Sequence, residues 1–373
     1  MIHDILYSLI AFILSALCGF FFIPMILNFC KEKQLYDIPN SRKIHSNAIP
    51  RLGGLCFLPS MLLAFLATTF TYNVFFGTTE ITISLWSVYF FISLLLIYGV
   101  GLVDDIVGLS AKPKFIVQIL AAILLPLSGL YINNFYGFLG FEEIPFWIGA
   151  PFTIFVIVFI NNAINLIDGI DGLAAGISFI ALAGFLVCFL TEGVFMYAIL
   201  IAGLMGVLVP FLYFNMFGDA EKNRKIFMGD SGSLTLGFIL GFLAVKYSMD
   251  NPNVMFWRPD CLLLSYSFLV VPIYDVIRVS AMRQKHHTPV FFADKNHIHH
   301  KLMRAGLSQH QALAAILFLA ILFIIVNASL SRIVLMEVIV CLDVIIWLAF
   351  HSVVNRAIRK KGRAVFEVKE GNE

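Results

Sequence analysis

The chain has 373 residues, of which 60% are hydrophobic and 13% are charged, and its formal net charge is +2. An ordinary soluble domain has roughly 45–50% apolar and about 25% charged residues, so this composition excludes a soluble globular protein. The six cysteines lack paired spacing, which favours neither a disulfide framework nor a thiolate metal site. Beyond ordinary basic loops, nothing indicates nucleic-acid binding. We therefore expect an integral membrane protein.

Apolar segments recur along the whole chain. A helix needs about 20 apolar residues to cross a bilayer and must satisfy its own backbone hydrogen bonds there. The sequence therefore predicts an all-α fold, a polytopic transmembrane helical bundle of about eleven spans, with ten or twelve as alternatives. The predicted spans are residues 5–28, 52–72, 83–103, 114–132, 146–161, 174–191, 194–214, 233–250, 261–281, 312–329 and 332–353.

The flanks of these spans predict the domain organisation. The first span lacks a basic N-terminal region and a small-residue cleavage site, so we expect a retained signal anchor. With neither a repeat nor a second domain in view, we predict one integral-membrane domain over residues 1–355 and a basic cytoplasmic tail over residues 356–373.

The distribution of positive charge predicts the orientation of the chain. Of the 25 Lys and Arg residues, 22 fall in the tail and in loops on one side of the predicted bundle, and only Lys246, Arg258 and Arg332 fall on the other. Because cytoplasmic loops retain an excess of Lys and Arg, we expect the N-terminus outside and the C-terminal tail in the cytoplasm.

Polar residues gather at five places on the predicted cytoplasmic side. The first, residues 34–54 (QLYDIPNSRKIHSNAIPRLGG), fits either an anion-facing loop or an ordinary basic loop. The second places Asp104 and Asp105 side by side at the end of the third span. Adjacent carboxylates repel each other, so they favour a nearby divalent metal or a lysine such as Lys112 or Lys114. A solvated helix cap is the alternative.

The third cluster is the segment 161–176, NNAINLIDGIDGLAAG. Asp168 and Asp171 would share a face in a helical turn, whereas Gly169 and Gly172 would permit tighter turns. Either geometry brings both carboxylates to one ligand. Oxygen ligands of this kind suit Mg²⁺, which binds through one or two carboxylates plus substrate phosphate.

The fourth cluster, FMGDSGSLTLG at residues 227–237, precedes the eighth span. Asp230, Ser231 and Ser233 fall at a predicted helix N-terminus. Free backbone N–H groups and the positive end of the helix dipole favour phosphate there. Ordinary N-capping by Asp or Ser is an equally good interpretation.

The fifth cluster contains His297, His299 and His300 among cationic residues. No Cys and no His-x-x-x-His pair completes a zinc site, so imidazoles among cations suit a diphosphate and sugar hydroxyls better. Nearby, Asp275 and Arg278 are spaced for a structural ion pair. Asp343, in the last span, has no partner that the sequence identifies.

Carboxylates, glycines and cations at one membrane edge suit Mg²⁺-assisted phosphoryl transfer, which depends on positioning and charge neutralisation. A membrane-embedded body implies that one reactant is a lipid. A transporter is the main rival from another class, but transporters place such groups near the bilayer midplane, whereas here they collect at one edge.

Four motifs, DDIVGLS, NAINLIDGIDGLAAG, FMGDSGSLTLG and HIHHKLMRAG, occur in the order found in one family. The sequence resembles the polyprenyl-phosphate N-acetylhexosamine-1-phosphate transferases, and within them the WecA/TagO-like branch, which starts O-antigen, common-antigen or teichoic-acid synthesis. The resemblance covers roughly residues 34–310. It implies a bacterial inner-membrane enzyme that uses a UDP-N-acetylhexosamine, undecaprenyl phosphate and Mg²⁺ or Mn²⁺, and that releases UMP.

The resemblance also implies roles for individual residues. They are catalytic roles for Asp104, Asp105, Asp168 and Asp171, metal binding by Asp230 with Asn165, and substrate binding by Lys43, Asn165, Phe227 (stacking on uracil), His297, His299 and His300. Ile298 interrupts the histidine run of the cell-wall-precursor branch, which argues against a UDP-muramoyl-pentapeptide substrate. No nucleotide role is carried onto Asn215. Another UDP-N-acetyl sugar, a covalent intermediate and a homodimer all stay open.

Overall fold

A computed structural model describes residues 2–37, 49–76, 84–289 and 294–367. Helices dominate this part of the chain. They are α1 (Ile2–Lys33), α2 (Phe57–Phe76), α3 (Leu85–Val107), α4 (Ala111–Leu127), α5 (Phe146–Ile167), α6 (Leu173–Thr191), α7 (Phe195–Met216), α8 (Gly229–Ser248), α9 (Cys261–Ser267), α10 (Val270–Lys285), α11 (Ile298–Arg304), α12 (Gln309–Leu330) and α13 (Met336–Lys360). One antiparallel pair, β1 (Tyr36–Asp37) with β2 (Ile49–Pro50), and two short 3₁₀ turns (Gly53–Cys56 and Phe138–Gly140) complete the regular structure of these ranges.

The prediction of an all-α, multi-pass membrane protein is confirmed. In the described ranges, nine helices are long and apolar enough to cross a membrane, and the pair α9 and α10, bent by 68°, would make a tenth span. Each of the eleven predicted segments overlaps a helix, but α4 has only 17 residues. It ends early because Pro126 lies in its last turn and Gly129 follows with φ +86, a common way to stop a helix.

Helix α8 forms the centre of the bundle. Every residue of α8 from Ser231 to Ser248 is buried, and α3, α5 and α6 pack around the helix. A helix that is hydrophobic on all sides belongs in a protein interior. Because Asp230 lies in the first turn of α8, this central position brings the fourth polar cluster into the middle of one end of the bundle.

Glycines allow the backbones around the start of α8 to touch. A Cβ atom at Gly54 would collide with Gly232 on α8, and one at Gly101 on α3 would lie 2.6 Å from the Cα of Ser231. Only residues without a side chain permit such close approach. The 3₁₀ turn at Gly53–Cys56 and the end of α3 are therefore held directly against the N-terminus of α8.

The C-terminal helices make two contacts that the sequence did not reveal. Asp343 does have a partner: Asn327 on α12 donates to it at 2.8 Å and also to the hydroxyl of Ser267 at 2.9 Å. Helix α13 continues beyond residue 355 to Lys360, and the following segment packs near α11, where Glu367 exchanges two hydrogen bonds with Asn296. The predicted division into domain and tail stays a prediction.

Candidate active site

Three carboxylates from two helices meet at one end of the bundle. Asp104 and Asp105 lie in the last turn of α3, and Asp230 lies in the first turn of α8. One oxygen from each residue lies within 4.8 Å of the others, which is a spacing that could hold a metal ion. The second and fourth polar clusters of the sequence therefore form one site.

Asp105 caps helix α8 from outside that helix. Its carboxylate accepts hydrogen bonds from the backbone nitrogens of Asp230 at 2.7 Å and Ser231 at 2.9 Å. Of the two interpretations left open for this helix N-terminus, phosphate binding and capping, these two amides show capping, and the capping group is Asp105. Arg51 donates to the carbonyl oxygen of Asp105 at 2.8 Å, which fixes the end of α3 in turn.

Lys114 is the cation of this cluster. Its ammonium lies 2.7 Å from Asp230 and 3.2 Å from Asp104, so it bridges carboxylates of α3 and α8 from the first turn of α4. Lys112, the other lysine suggested by the sequence, is exposed. The other oxygen of Asp104 accepts a hydrogen bond from the backbone nitrogen of Leu109 at 2.6 Å.

Asn165, near the end of α5, completes the surroundings of Asp230. Its amide nitrogen donates to Asp230 at 3.1 Å and to the hydroxyl of Ser233 at 2.8 Å. The carboxylate oxygens of the cluster are donors of the type that Mg²⁺ prefers, and the Asn165 amide nitrogen holds Asp230 in position beside them. The residues present therefore fit the divalent metal that the sequence predicts, with Asp230 at the centre of the cluster.

Asp168 and Asp171 lie in a turn between α5 and α6, not in a helix. Helix α5 ends at Ile167, and Gly172 has φ +76, so the tighter of the two predicted geometries is the one observed. Asp171 forms an ion pair with Lys225 at 2.7 Å, a partner that the sequence did not reveal. Burial raises the pKa of Asp168 to about 7, and the negative charges of nearby carboxylates contribute to the rise as a smaller cause.

Asn215 holds this turn in place. Its amide oxygen accepts a hydrogen bond from the backbone nitrogen of Gly172 at 2.7 Å, and its amide nitrogen donates to the carbonyl oxygen of Ile226 at 2.9 Å. Both ends of the buried amide are thus used within the fold. The Asn215 side chain therefore has a structural role in this turn.

The segment from His297 to His300, which enters α11 and which we call the histidine loop, is anchored by Asp275. This buried carboxylate contacts the Nδ1 of His297 at 2.8 Å, accepts from the backbone nitrogen of Ile298 at 3.0 Å and pairs with Arg278 at 2.7 Å. The predicted pair of Asp275 and Arg278 is confirmed. In addition, the pair orients the first histidine of the loop.

His299 connects the histidine loop to the turn between α5 and α6 that carries Asp168 and Asp171, which we call the aspartate turn. A Cβ atom at Gly169 would collide with the Nε2 of His299, so the imidazole lies directly on that glycine. Neither ring nitrogen has a hydrogen-bond partner among the residues that the structure describes. Burial, and then the charges of His300 and His297, hold the pKa of His299 well below its usual range. The ring of His300 lies 4.2 Å away.

Phe227 and Lys43 are the two other residues that the sequence predicts to bind substrate. Phe227 is half-buried just before α8; its backbone nitrogen donates to Pro50 at 2.7 Å and its carbonyl oxygen accepts from Gly53 at 2.9 Å. Lys43 lies outside the described residues. The roles predicted for both stay predictions.

Comparison with known proteins assigns the chain to a family. The sequence profile of glycosyl transferase family 4 matches residues 86–248, which run from α3 to the end of α8 and include all three carboxylates of the cluster. A probable undecaprenyl-phosphate N-acetylglucosaminyl 1-phosphate transferase of Bacillus subtilis is 33% identical over 90% of this chain and 87% of its own length.

Two relatives carry the name undecaprenyl-phosphate alpha-N-acetylglucosaminyl 1-phosphate transferase. The Yersinia pestis protein is 27% identical over 87% of this chain and 85% of its own length. The protein of Escherichia coli strain K12 is 28% identical over 81% of this chain and 79% of its own length. The match extends over nearly the whole chain and includes the carboxylate cluster, the aspartate turn and the histidine loop. The chain therefore belongs to glycosyl transferase family 4, alongside these undecaprenyl-phosphate N-acetylglucosaminyl 1-phosphate transferases.

Proposed function

We propose that this enzyme transfers N-acetylglucosamine 1-phosphate from UDP-N-acetylglucosamine to undecaprenyl phosphate and releases UMP, as the first membrane step of bacterial cell-envelope glycan synthesis. The observation that carries the proposal is the carboxylate cluster of Asp104, Asp105 and Asp230 bridged by Lys114. It lies at one end of a membrane bundle whose relatives are named for this reaction.

The reaction needs no nucleophilic side chain. An oxygen of the lipid phosphate attacks the β-phosphorus of the UDP-sugar and forms the new P–O bond. The bond from that phosphorus to the bridging oxygen breaks, and UMP leaves with the oxygen. Catalysis of such a displacement rests on positioning and on neutralising charge, which are the tasks that a cluster of fixed carboxylates and cations can perform.

Mg²⁺ would be held by Asp230, with Asp104 and Asn165 beside it, and when bound it would supply charge neutralisation for the diphosphate. Asp104, at the edge of α3, would orient the lipid phosphate or accept its proton. Asp105 would act by positioning, because both its oxygens hold the start of α8. Lys114 would balance the charge of Asp104 and Asp230.

The second half of the site would receive the nucleotide and sugar. His299 lies on Gly169 between the two predicted catalytic residues of the aspartate turn, Asp168 and Asp171. Lys225, which pairs with Asp171 at 2.7 Å, places a cation beside this turn, and the diphosphate oxygens would share that cation with Asp171. Phe227, which precedes α8, would stack on uracil, and the histidine loop would contact the sugar.

We also propose eleven membrane spans, with α4 as a short one. Lys114, in the first turn of α4, and Asn165, near the end of α5, both contact Asp230. The chain therefore leaves this end of the bundle along α4 and returns along α5. A helix of 17 residues falls at the lower limit of roughly 17 to 25 residues for a span. The charge bias then supports a cytoplasmic active site, in the inner membrane.

UMP release tests the proposed reaction. Purified enzyme with Mg²⁺, undecaprenyl phosphate and a panel of UDP-sugars should release UMP fastest with UDP-N-acetylglucosamine. Asp104→Asn and Asp230→Asn should each lose most turnover, whereas Lys112→Gln, which removes an exposed charge, should retain it. Faster release with a different UDP-N-acetyl sugar would reassign the donor. Failure to release UMP with any of them would overturn the reaction itself.

A further inference from the structure

A second polar cavity lies behind the histidine loop. It has a volume of about 470 Å³ and is bounded by α10, α11 and α13. The proposed reaction assigns no task to this cavity. Its lining includes the side chains of Arg278, Lys301, Trp347, His351, Arg356 and Arg359.

The cavity is strongly cationic. Four of its lining residues are Arg or Lys, and the described residues that line it include no carboxylate. Lys301 donates to the amide oxygen of Asn355 at 2.6 Å, and the acid whose charge acts on it, Asp275, pairs with Arg278 and His297 instead. Burial, and then the charges of Arg278 and Arg304, lower the pKa of Lys301 to about 7. Such an environment favours an anionic occupant.

Buried polar groups without partners point into the same cavity. His351 is 5% exposed and Trp347 is 4% exposed. Within the described ranges, neither ring nitrogen of His351 has a hydrogen-bond partner, and the indole nitrogen of Trp347 and the Nε of Arg278 have none either. Buried polar groups are normally paired, and each exception calls for an explanation. A ligand with several acceptor oxygens would provide one.

We propose that this cavity binds the phosphate headgroup of an anionic membrane lipid. The wall combines the cations with apolar residues, Met282, Trp347 and Leu348. Leu348 is 62% exposed on α13, a helix apolar enough to cross a membrane. A phosphate among cations with hydrocarbon alongside matches a lipid better than a soluble anion. Basic pockets between membrane helices are known to bind such headgroups.

The occupant would also support the active site. Arg278, with its free Nε in the cavity wall, pairs with Asp275, and Asp275 in turn contacts His297. Lys301 lies on the same short helix as His299 and His300. A lipid phosphate in the cavity would therefore neutralise the charges next to the histidine loop. It would stabilise the position of that loop against Gly169 of the aspartate turn.

The test uses the full chain in nanodiscs of phosphatidylcholine with an increasing share of phosphatidylglycerol. Its readouts are the melting temperature and the lipid retained in native mass spectrometry, so it does not depend on turnover. We expect phosphatidylglycerol to raise the melting temperature by several degrees and to remain bound. The variant Arg356→Gln/Arg359→Gln should lose at least half of that shift. Lys360→Gln, an exposed charge outside the cavity lining, should keep it.

His351→Phe provides a second test, because phenylalanine fills the space of the imidazole without its ring nitrogens. If His351 has only a packing role, this variant will respond to phosphatidylglycerol as the wild type does, and the proposal fails; we expect a reduced shift. An equal shift in wild type, Arg356→Gln/Arg359→Gln and Lys360→Gln would likewise overturn the site. Equal stabilisation by inorganic phosphate in pure phosphatidylcholine discs would overturn the assignment to a lipid.

Discussion

An oxygen of the Asp105 carboxylate lies 2.7 Å from the backbone nitrogen of Asp230, although 125 residues separate them in the chain. The first N–H groups of a helix have no partner within it, and its N-terminus carries a partial positive charge. Asp105 satisfies both requirements for α8. The contact also fixes the distance between the two helices that carry the carboxylate cluster.

Replacing Asp105 should therefore destabilise the protein as well as inactivate it. Asp105→Ala removes the acceptor of two buried N–H groups, and loss of a helix cap costs roughly 0.5–2 kcal/mol. We expect a lower melting temperature in detergent together with a loss of most UMP release. Asp104→Asn is the matched control, because it should lose turnover at nearly unchanged melting temperature. If Asp105→Ala melts at the wild-type temperature, the capping role is incorrect.

Lys114 competes with a divalent metal for the same carboxylates. Without its ammonium, Asp104 and Asp230 repel each other with less compensation, so Mg²⁺ should stabilise Lys114→Gln more than it stabilises the wild type. The measurement is the melting temperature as a function of Mg²⁺ concentration in the absence of substrates. Lys112→Gln should respond as the wild type does. An identical Mg²⁺ response in all three proteins would contradict this prediction.

The contact between Gly169 and His299 should tolerate no side chain. In Gly169→Ala the new methyl group would collide with the imidazole and separate the histidine loop from the aspartate turn. We expect at least about a tenfold loss in kcat/KM for UMP release, because small misplacements of catalytic groups are costly. Gly99→Ala, where a Cβ atom has nothing within 4 Å, should keep its activity. Wild-type kinetics in Gly169→Ala would show that the contact is dispensable.

Asp168 should make stability depend on pH. Its pKa is raised from 3.8 to about 7 in the folded protein, so the fold binds this proton more tightly than the unfolded chain does. The resulting stabilisation is complete below about pH 4 and is lost as the pH rises through about 7.

Across that window, the melting temperature of the wild type should fall more steeply than that of Asp168→Asn. Asp219→Asn is the control, because this carboxylate is 42% exposed and accepts hydrogen bonds from the backbone nitrogens of Glu221 and Lys222, so its pKa lies below 3.8 and outside that window. It should leave the slope unchanged. Parallel curves for wild type and Asp168→Asn would rule out Asp168 as the titrating group.

The sequence predicted the fold class and the location of the site because both depend on local patterns. Apolar segments of about 20 residues predict membrane-spanning helices. Polar residues at the ends of these segments predict a site at one side of the membrane. The adjacent Asp104 and Asp105 and the segment around Asp230 were identified in this way. Asp171 and Asp343 show the limit. Their partners, Lys225 and Asn327, lie on other parts of the chain and are brought near only by tertiary packing.

The start of α8 shows a different limit. Sequence patterns favour a cap from a residue just before the helix, or free N–H groups that bind phosphate. The structure uses neither solution, because the cap comes from α3. A capping residue that is distant in sequence leaves no signal in the helix that it caps, so a single sequence could not have shown it.

The position of Glu367 matters for anyone who labels or immobilises this enzyme. Its backbone exchanges two hydrogen bonds with Asn296, the residue before the first histidine of the loop. A fluorescent protein or affinity tag inserted directly after Glu367 would be tethered next to Asn296 and the histidine that follows it. The start of α1 is separated from Lys33 by the full length of a 32-residue helix, so a label at that end of α1 would stay far from this contact.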